Sequence, residues 1–242
     1  RPPHDPALPG CARDKGLAVV AGLLEGTRVR IGNAEHARNN NSDGLTTLRN
    51  RHVQFIRDGR LRFRFRGKGG ADHEIAVDDR RLARLVRHCH ELPGQRLFQC
   101  VDEDGGRHPI DSDQVNAYLR EAMDADFTAK DFRTWGATLR AISLMAATPL
   151  PEEPSERALN ESVVTAIKTV AAELRNTPAV CRKSYINPVV FVAWRSGSLH
   201  KAIREDISSA PRRAERLALS FLRRQSRAAK HAAAKAGAKT KN

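Results

Sequence analysis

No run of about 18 apolar residues occurs in this 242-residue chain, so no segment can cross a bilayer as a helix. Cysteine is sparse. Cys11, Cys89, Cys100 and Cys181 form no C-x-x-C pair and no Cys/His ligand spacing, which argues against a zinc site or a disulfide framework and makes a reducing cytoplasm the expected setting. Neither a Walker-type loop nor G-x-G-x-x-G is found, "GKGG" lacks the flanks of a phosphate-binding loop, and there is no internal repeat. The opening "RPPHDPALPG" has no apolar stretch of the signal-peptide kind, and residues 1–13 read as an irregular linker or truncation remnant. Acidic residues are the most telling shortage: 28 Asp and Glu stand against 42 Lys and Arg, leaving +14. That imbalance points first to nucleic acid and second to an anionic membrane surface, and the missing apolar run weakens the second.

What is present is mostly helical pattern. Apolar residues recur at helical spacing over 14–25, where Gly26 can end a helix. Three strand-like segments follow at 45–56, 60–66 and 72–77. The second, "RLRFRFRG", alternates cation with apolar residue, so one face is apolar and the other a row of arginines. The turns "RDGR" and "GKGGAD" supply Gly and Asp for tight hairpins and leave Lys68 at a hairpin tip. Helices are expected at 79–91, 111–123, 128–147, 154–175, 177–186 and from 210 to about 230. The class is α+β, mainly helical with a small three-stranded antiparallel sheet.

Two helix starts are well marked. Thr128 with Asp131 makes a capping box, with Phe127 and Phe132 placed as a staple, and this puts Lys130 and Arg133 on one face of the first turns. Thr177 is a natural N-cap with Pro178 at the first helical position, so Asn176 lies just outside the helix carrying Tyr185. Residues 211–242 hold ten Lys or Arg against one Glu, nine of the fourteen net charges. They read as a basic helix and low-complexity tail suited to sequence-blind DNA attraction. Residues 14–210 read as one main domain.

Tyr185, in "TPAVCRKSYINP", has Arg182 and Lys183 beside it. Tyrosine is a poor nucleophile: with a reference pKa of about 10, roughly one in a thousand is ionised at pH 7, a deficit near 4 kcal/mol that surrounding cations must offset. Sequence neighbours alone do not establish such a pocket, and taken alone Tyr185 reads more readily as a packed phenol than as a nucleophile.

The blocks "RVRIGN", "GLTTLRNRHV", "FRFRGKGGADHEI", "LPGQRLFQ", "VNAYLREA", "FTAKDFRTWGA" and "NTPAVCRKSYINP", in that order, resemble the type IB DNA topoisomerase family in its bacterial, poxvirus-like branch. The resemblance covers about residues 14–200. It implies Tyr185 as nucleophile, Arg30 and Arg133 as the catalytic arginines, Lys68 as general acid and Lys130 as an auxiliary cation. Asn176 stands where the family often has histidine. The implied reaction makes a 3′-phosphotyrosyl bond and frees a 5′-hydroxyl, and arginine forks suit the phosphorane's oxygens. Asparagine can donate a hydrogen bond there but brings no charge. Neither ATP nor a metal is implied, the partner is double-stranded DNA, and the chain is expected to act as a monomer in the cytoplasm, at a bacterial nucleoid.

Without the resemblance, Arg30 and Arg133 read as surface or salt-bridged residues. Arg62, Arg64 and Arg66 read as a solvated strand face that also meets phosphates. Arg49, Arg51 and His52 admit either DNA contact or plain surface, His73 either DNA contact or a structural role, and Arg182 and Lys183 join the DNA-contact set. Trp135, Trp194 and Cys181 read as core. Relatives of this family carry an N-terminal clamp domain, so this segment is expected to cleave and religate with reduced affinity and salt tolerance. Two other readings stay open: a tyrosine recombinase, disfavoured because "KDFR" replaces H-x-x-R, and a basic DNA-binding module that does not cut.

Overall fold

The computed structural model describes residues 13–101, 104, 106–203 and 211–239. The expected irregular start, up to residue 12, lies outside the described residues. The chain divides into two compact units, residues 1–133 and 134–242.

The first unit is built around α1 (Arg13–Thr27), whose run from Gly16 to Leu24 is buried almost all round, as a central helix should be. It continues through Gly26 and ends one residue past it, and the left-handed turn expected at a glycine falls on Arg28 (φ 56°). The short α2 (Ala34–Asn40) is capped by Asn33. Residues 45–52 are not strand. They form two 3-10 turns, because Leu45 and Thr46 give their N–H groups to the carbonyls of Arg30 and Ile31. β1 (Val53–Ile56), β2 (Arg60–Arg66) and β3 (Asp72–Val77) then form the expected antiparallel meander. Leu61, Phe63 and Phe65 face inward and Arg62, Arg64 and Arg66 outward, as period-two alternation requires.

α3 (Arg80–Glu91), capped by Asp79, covers the inner face through Leu82, Ala83, Val86 and Cys89. A second hairpin, β4 (Gln99–Val101) with β5 (Arg107–Pro109), is not legible in the sequence because three-residue strands carry no readable alternation. α4 (Ser112–Met123) follows, and Asn116 on it accepts from the Ala129 N–H at the start of α5 (Ala129–Ala147). The Thr128–Asp131 cap forms with a changed sense: both the N–H and the hydroxyl of Thr128 donate to the Asp131 carboxylate (2.9 and 2.8 Å). Phe127 remains 45% exposed, so the expected staple does not bury it.

The second unit packs the rest of α5 with α6 (Glu156–Glu173), α7 (Pro178–Ser184), α8 (Val189–Arg195), α9 (Ser198–Ala202) and α10 (Pro211–Lys239) around Trp194. The Trp194 indole N–H donates to the Thr148 carbonyl at 2.8 Å, so its one polar atom is satisfied in the core. Ala214, Ala218 and Phe221 are buried in the same cluster, so α10 begins as a core element and not as a solvated tail. No helix among the described residues is long and apolar enough to cross a membrane.

Candidate functional site

In the first unit, Arg30, Arg66 and Lys68 line one open cavity of about 630 Å³, together with His36 and Asp43. Two unrelated segments converge there for steric reasons. Gly32 (φ 91°) and Gly44 cross so closely that a Cβ on Gly44 would sit 2.5 Å from the Gly32 backbone and 2.7 Å from the Arg30 carbonyl. The crossing lets Leu45 N–H bond Arg30 (3.0 Å) and Thr46 N–H and hydroxyl bond Ile31 (2.8 and 3.1 Å). The Asp43 N–H donates to the Arg66 carbonyl (2.7 Å), tying the same loop to the strand that leads to Lys68. Lys68 itself sits exposed in the turn between β2 and β3, at the expected tip.

Arg133 is 4% exposed, and its Nη1 donates to the carbonyl of Arg28, two residues before Arg30. Lys130, although three residues away, is exposed, so the shared face expected from spacing does not give the two cations a shared environment. The arginine face of β2 meets its neighbour strand: Glu74 pairs with Arg62 at 2.9 Å and Arg64 at 3.1 Å. His73 stacks on Phe65, with centroids 4.9 Å apart and planes 6° off parallel. A side chain at Gly67 would drive into the His73 ring at 2.4 Å, so this glycine serves the stack.

Arg49 and Arg51 are exposed, and His52 is half-buried between them. The Arg49 N–H donates to His52 Nδ1 at 3.2 Å and the Arg51 Nε–H to His52 Nε2 at 3.4 Å, and Nε2 lies 3.9 Å from the Asp43 carboxylate. Burial lowers the His52 pKa below its ordinary value. Asp43 opposes that shift, and Arg51 and Arg49 reinforce it.

In the second unit, Tyr185 does not lie within a helix, as the pattern over 177–186 suggests. It is the C-cap of α7 and 7% exposed. Thr138 on α5, silent in the sequence because a lone mid-helix threonine carries no signal, clamps its backbone: the hydroxyl donates to the Tyr185 carbonyl (3.2 Å) and accepts from the Asn187 N–H (3.1 Å). Arg182 and Lys183 are exposed in the last turn of α7, and Cys181 is buried. Asn176 is half-buried and held by a Schellman closure of α6. Arg175 takes the left-handed position (φ 49°), its N–H donating to Ala172 (3.1 Å) and that of Asn176 to Ala171 (2.9 Å). Thr177 then caps α7 as expected, accepting from the Val180 N–H at 3.3 Å. The chain's other tyrosine, Tyr118, is a poor candidate nucleophile: burial raises its pKa, and Asp14 and Glu121 add to the shift.

A basic α+β chain that gathers arginine and lysine around an open cavity and fixes a tyrosine at a helix end has the character of a phosphate-handling nucleic-acid protein. Residues 10–205 match the family model described as "Eukaryotic DNA topoisomerase I, catalytic core". The chain belongs to that family. It is 30% identical over 188 residues to "DNA topoisomerase 1B" of Acanthamoeba polyphaga mimivirus, covering 76% of this chain and 56% of that protein. It is 27% identical over 192 residues to "DNA topoisomerase 1 beta" of Arabidopsis thaliana, covering 78% of this chain and 20% of that protein. With "DNA topoisomerase 1" of Daucus carota the identity is 26% over 156 residues, covering 63% and 18%. The chain thus spans little more than half of the viral relative and about a fifth of the plant ones. The mainly helical fold with its small three-stranded sheet accords with this core.

Proposed function

We propose that the protein relaxes supercoiled duplex DNA as a type IB topoisomerase. The observation that carries this reading is the convergence of Arg30, Arg66 and Lys68 on one cavity through a backbone crossing that only glycine permits. In the proposed reaction the Tyr185 phenol gives up its proton to solvent, its oxygen attacks the scissile phosphorus and the bond to the 5′-oxygen breaks. The phosphate stays on tyrosine as a 3′-phosphotyrosyl ester, and Lys68 gives a proton to the leaving oxygen. Arg30 and Arg133 donate to the non-bridging oxygens where charge builds, with Lys130 as auxiliary cation and Asn176 as a neutral donor. After rotation of the cut strand the 5′-hydroxyl attacks the ester and restores the original bond. One phosphoester is exchanged for another in each direction, so no ATP is consumed. Arg49, Arg51, His52, Arg64, Arg66, His73, Arg182 and Lys183 form the proposed DNA-contact set.

The finer assignments belong to the same proposal. The order and wording of the seven sequence blocks support the bacterial, poxvirus-like branch, although the relatives above are viral and plant proteins. A catalytic domain over 14–210, action as a monomer and a cytoplasmic, nucleoid location are proposed with it.

The test is supercoiled plasmid incubated with the protein in EDTA without nucleotide and quenched in SDS. Relaxation and a covalent protein–DNA adduct are expected, both lost in Tyr185→Phe. Binding without relaxation or adduct would overturn the reading in favour of a DNA-binding module, and junction resolution without relaxation would favour a recombinase.

A further inference from the structure

The turn that carries Lys68 has little of its own to stiffen it. Three of the four residues in "GKGG" lack a side chain, and Gly69 and Gly70 sit at φ 74° and 77°, a conformation that glycine adopts at no steric cost but with the greatest loss of freedom. Two backbone bonds close the turn, from the Gly67 N–H to the Ala71 carbonyl (2.8 Å) and from the Gly70 N–H to the Gly67 carbonyl (3.0 Å). A proton donor needs tighter placement than that. Its nitrogen must come within about 2.6–3.2 Å of the leaving oxygen, and a misplacement of about 1 Å can cost on the order of a hundredfold in rate.

Side chains from the two flanking strands close over the turn. Arg66, the last residue of β2, lays its guanidinium against Gly70, where a Cβ would sit 2.9 Å from Nη2 and 3.3 Å from Nε. His73 on β3 lays its ring against Gly67, where a Cβ would sit 2.4 Å from Cδ2 and from Nε2. Each strand thus covers the glycine beside the other strand.

Strand register puts the two side chains on opposite faces. His73 pairs with Phe65, which points into the core, and Arg66 pairs with Asp72 on the outward face, since directly opposed residues share a side of the sheet. A ring therefore holds the turn from the core side and a guanidinium from the outer side. Each is itself anchored: His73 stacks on Phe65, and the Arg66 carbonyl accepts from the Asp43 N–H at 2.7 Å. The outer hold lies at the site, because Arg66, Lys68, Gly69 and Gly70 line the same cavity as Arg30.

We infer that Arg66 and His73 are positioning residues for proton delivery: they hold the glycine turn from opposite faces so that the Lys68 ammonium meets the leaving 5′-oxygen. The inference rests on the general-acid role proposed for Lys68, and it gives the two residues an action through Lys68 that phosphate contact does not include.

The test isolates proton delivery by changing the leaving atom. A thiol, with a pKa of about 8.5, departs as thiolate near neutral pH, whereas an alkoxide, comparable in basicity to the hydroxide of water at about 15.7, needs a proton. Single-turnover adduct formation by the full chain is measured at saturating protein, on a duplex whose cleavage site has been mapped with the parent, carrying oxygen or sulfur as the 5′-bridging atom. With oxygen, R66A and H73A should each slow the reaction about tenfold and R66A/H73A about a hundredfold. With sulfur, all three should return to within about threefold of the parent, as K68A should. Amide exchange at Gly67 reads the hold without any chemistry and should quicken at least threefold in R66A/H73A, about the smallest change such a measurement resolves. Thermal melting checks folding; if H73A is unfolded, R66A carries the test, because the Arg66 side chain is exposed. Equal losses with oxygen and sulfur, a loss of duplex affinity with an unchanged rate at saturation, or unchanged Gly67 exchange would each overturn the inference. If sulfur fails to rescue K68A, the general-acid reading of Lys68 falls and takes the inference with it, whereas rescue of K68A alone defeats only the inference. A parent chain that forms no adduct overturns the proposed function and the inference together.

Discussion

At Gly44 the first unit has no room for a side chain, and the atoms that would be displaced belong to the backbone holding Arg30. Gly44→Ala should destabilise the protein by about 1–3 kcal/mol, the usual range for overpacking. Adduct formation should fall further than stability does; urea unfolding and single-turnover cleavage separate the two effects. Arg175 presents the opposite case, a side chain in a left-handed position at a cost of roughly 1–2 kcal/mol. Replacing it by glycine relieves that cost against a larger unfolded-state entropy, so Arg175→Gly should raise stability by about 0.5 kcal/mol. His52 supplies a pH dependence. Its folded pKa lies below the unfolded value, so the native state binds fewer protons than the unfolded chain as acid is added. Its contribution is intact above about pH 6.5 and declines as pH falls below that. His52→Gln should flatten the stability–pH curve in this window. Gly44 is legible in "SDGL" only as a turn residue; its approach to Gly32, a dozen positions earlier, is encoded by no local pattern.

Among the elements, the β2–β3 hairpin is the most legible, since "RLRFRFRG" announces both period and faces. What alternation does not show is that Glu74 on β3 engages Arg62 and Arg64, so the cationic face is partly neutralised. These pairs are exposed and worth about 0–1 kcal/mol each. Glu74→Gln should therefore cost little stability while raising duplex affinity, with the salt dependence steepening by about 0.9 for each further phosphate neutralised; anisotropy titrations across salt concentrations measure both. The end of α7 is obscured in the sequence because Tyr185 continues an apolar pattern, whereas the helix stops when the Tyr185 carbonyl turns to Thr138 on α5. Thr138→Val should leave the Tyr185 carbonyl and the Asn187 N–H without this partner. A loss of about 1–3 kcal/mol is expected, with slower adduct formation.

At the scale of the molecule, charge and core overlap in α10. Composition marks residues 211–242 as a basic tail, yet Phe221, Ala214 and Ala218 complete the second unit's core. Removing residues 227–242 should weaken DNA binding at low salt and leave the melting temperature nearly unchanged. Phe221→Ala should cost about 3–5 kcal/mol, readable by thermal unfolding. The sequence by itself determined the charge balance, the α+β class, the three-stranded meander and the caps at Thr128 and Thr177, because local periodicity and turn chemistry are one-dimensional properties; the roles proposed for Arg30, Lys68, Arg133 and Tyr185 rest on the order of the motifs and the resemblance they carry. Tertiary structure alone decided that Gly32 and Gly44 cross, that Arg133 bonds the Arg28 carbonyl while Lys130 stays exposed, and that the Tyr185 carbonyl meets Thr138 at the end of α7. Each depends on which distant backbone atoms come within bonding distance, and only packing fixes that.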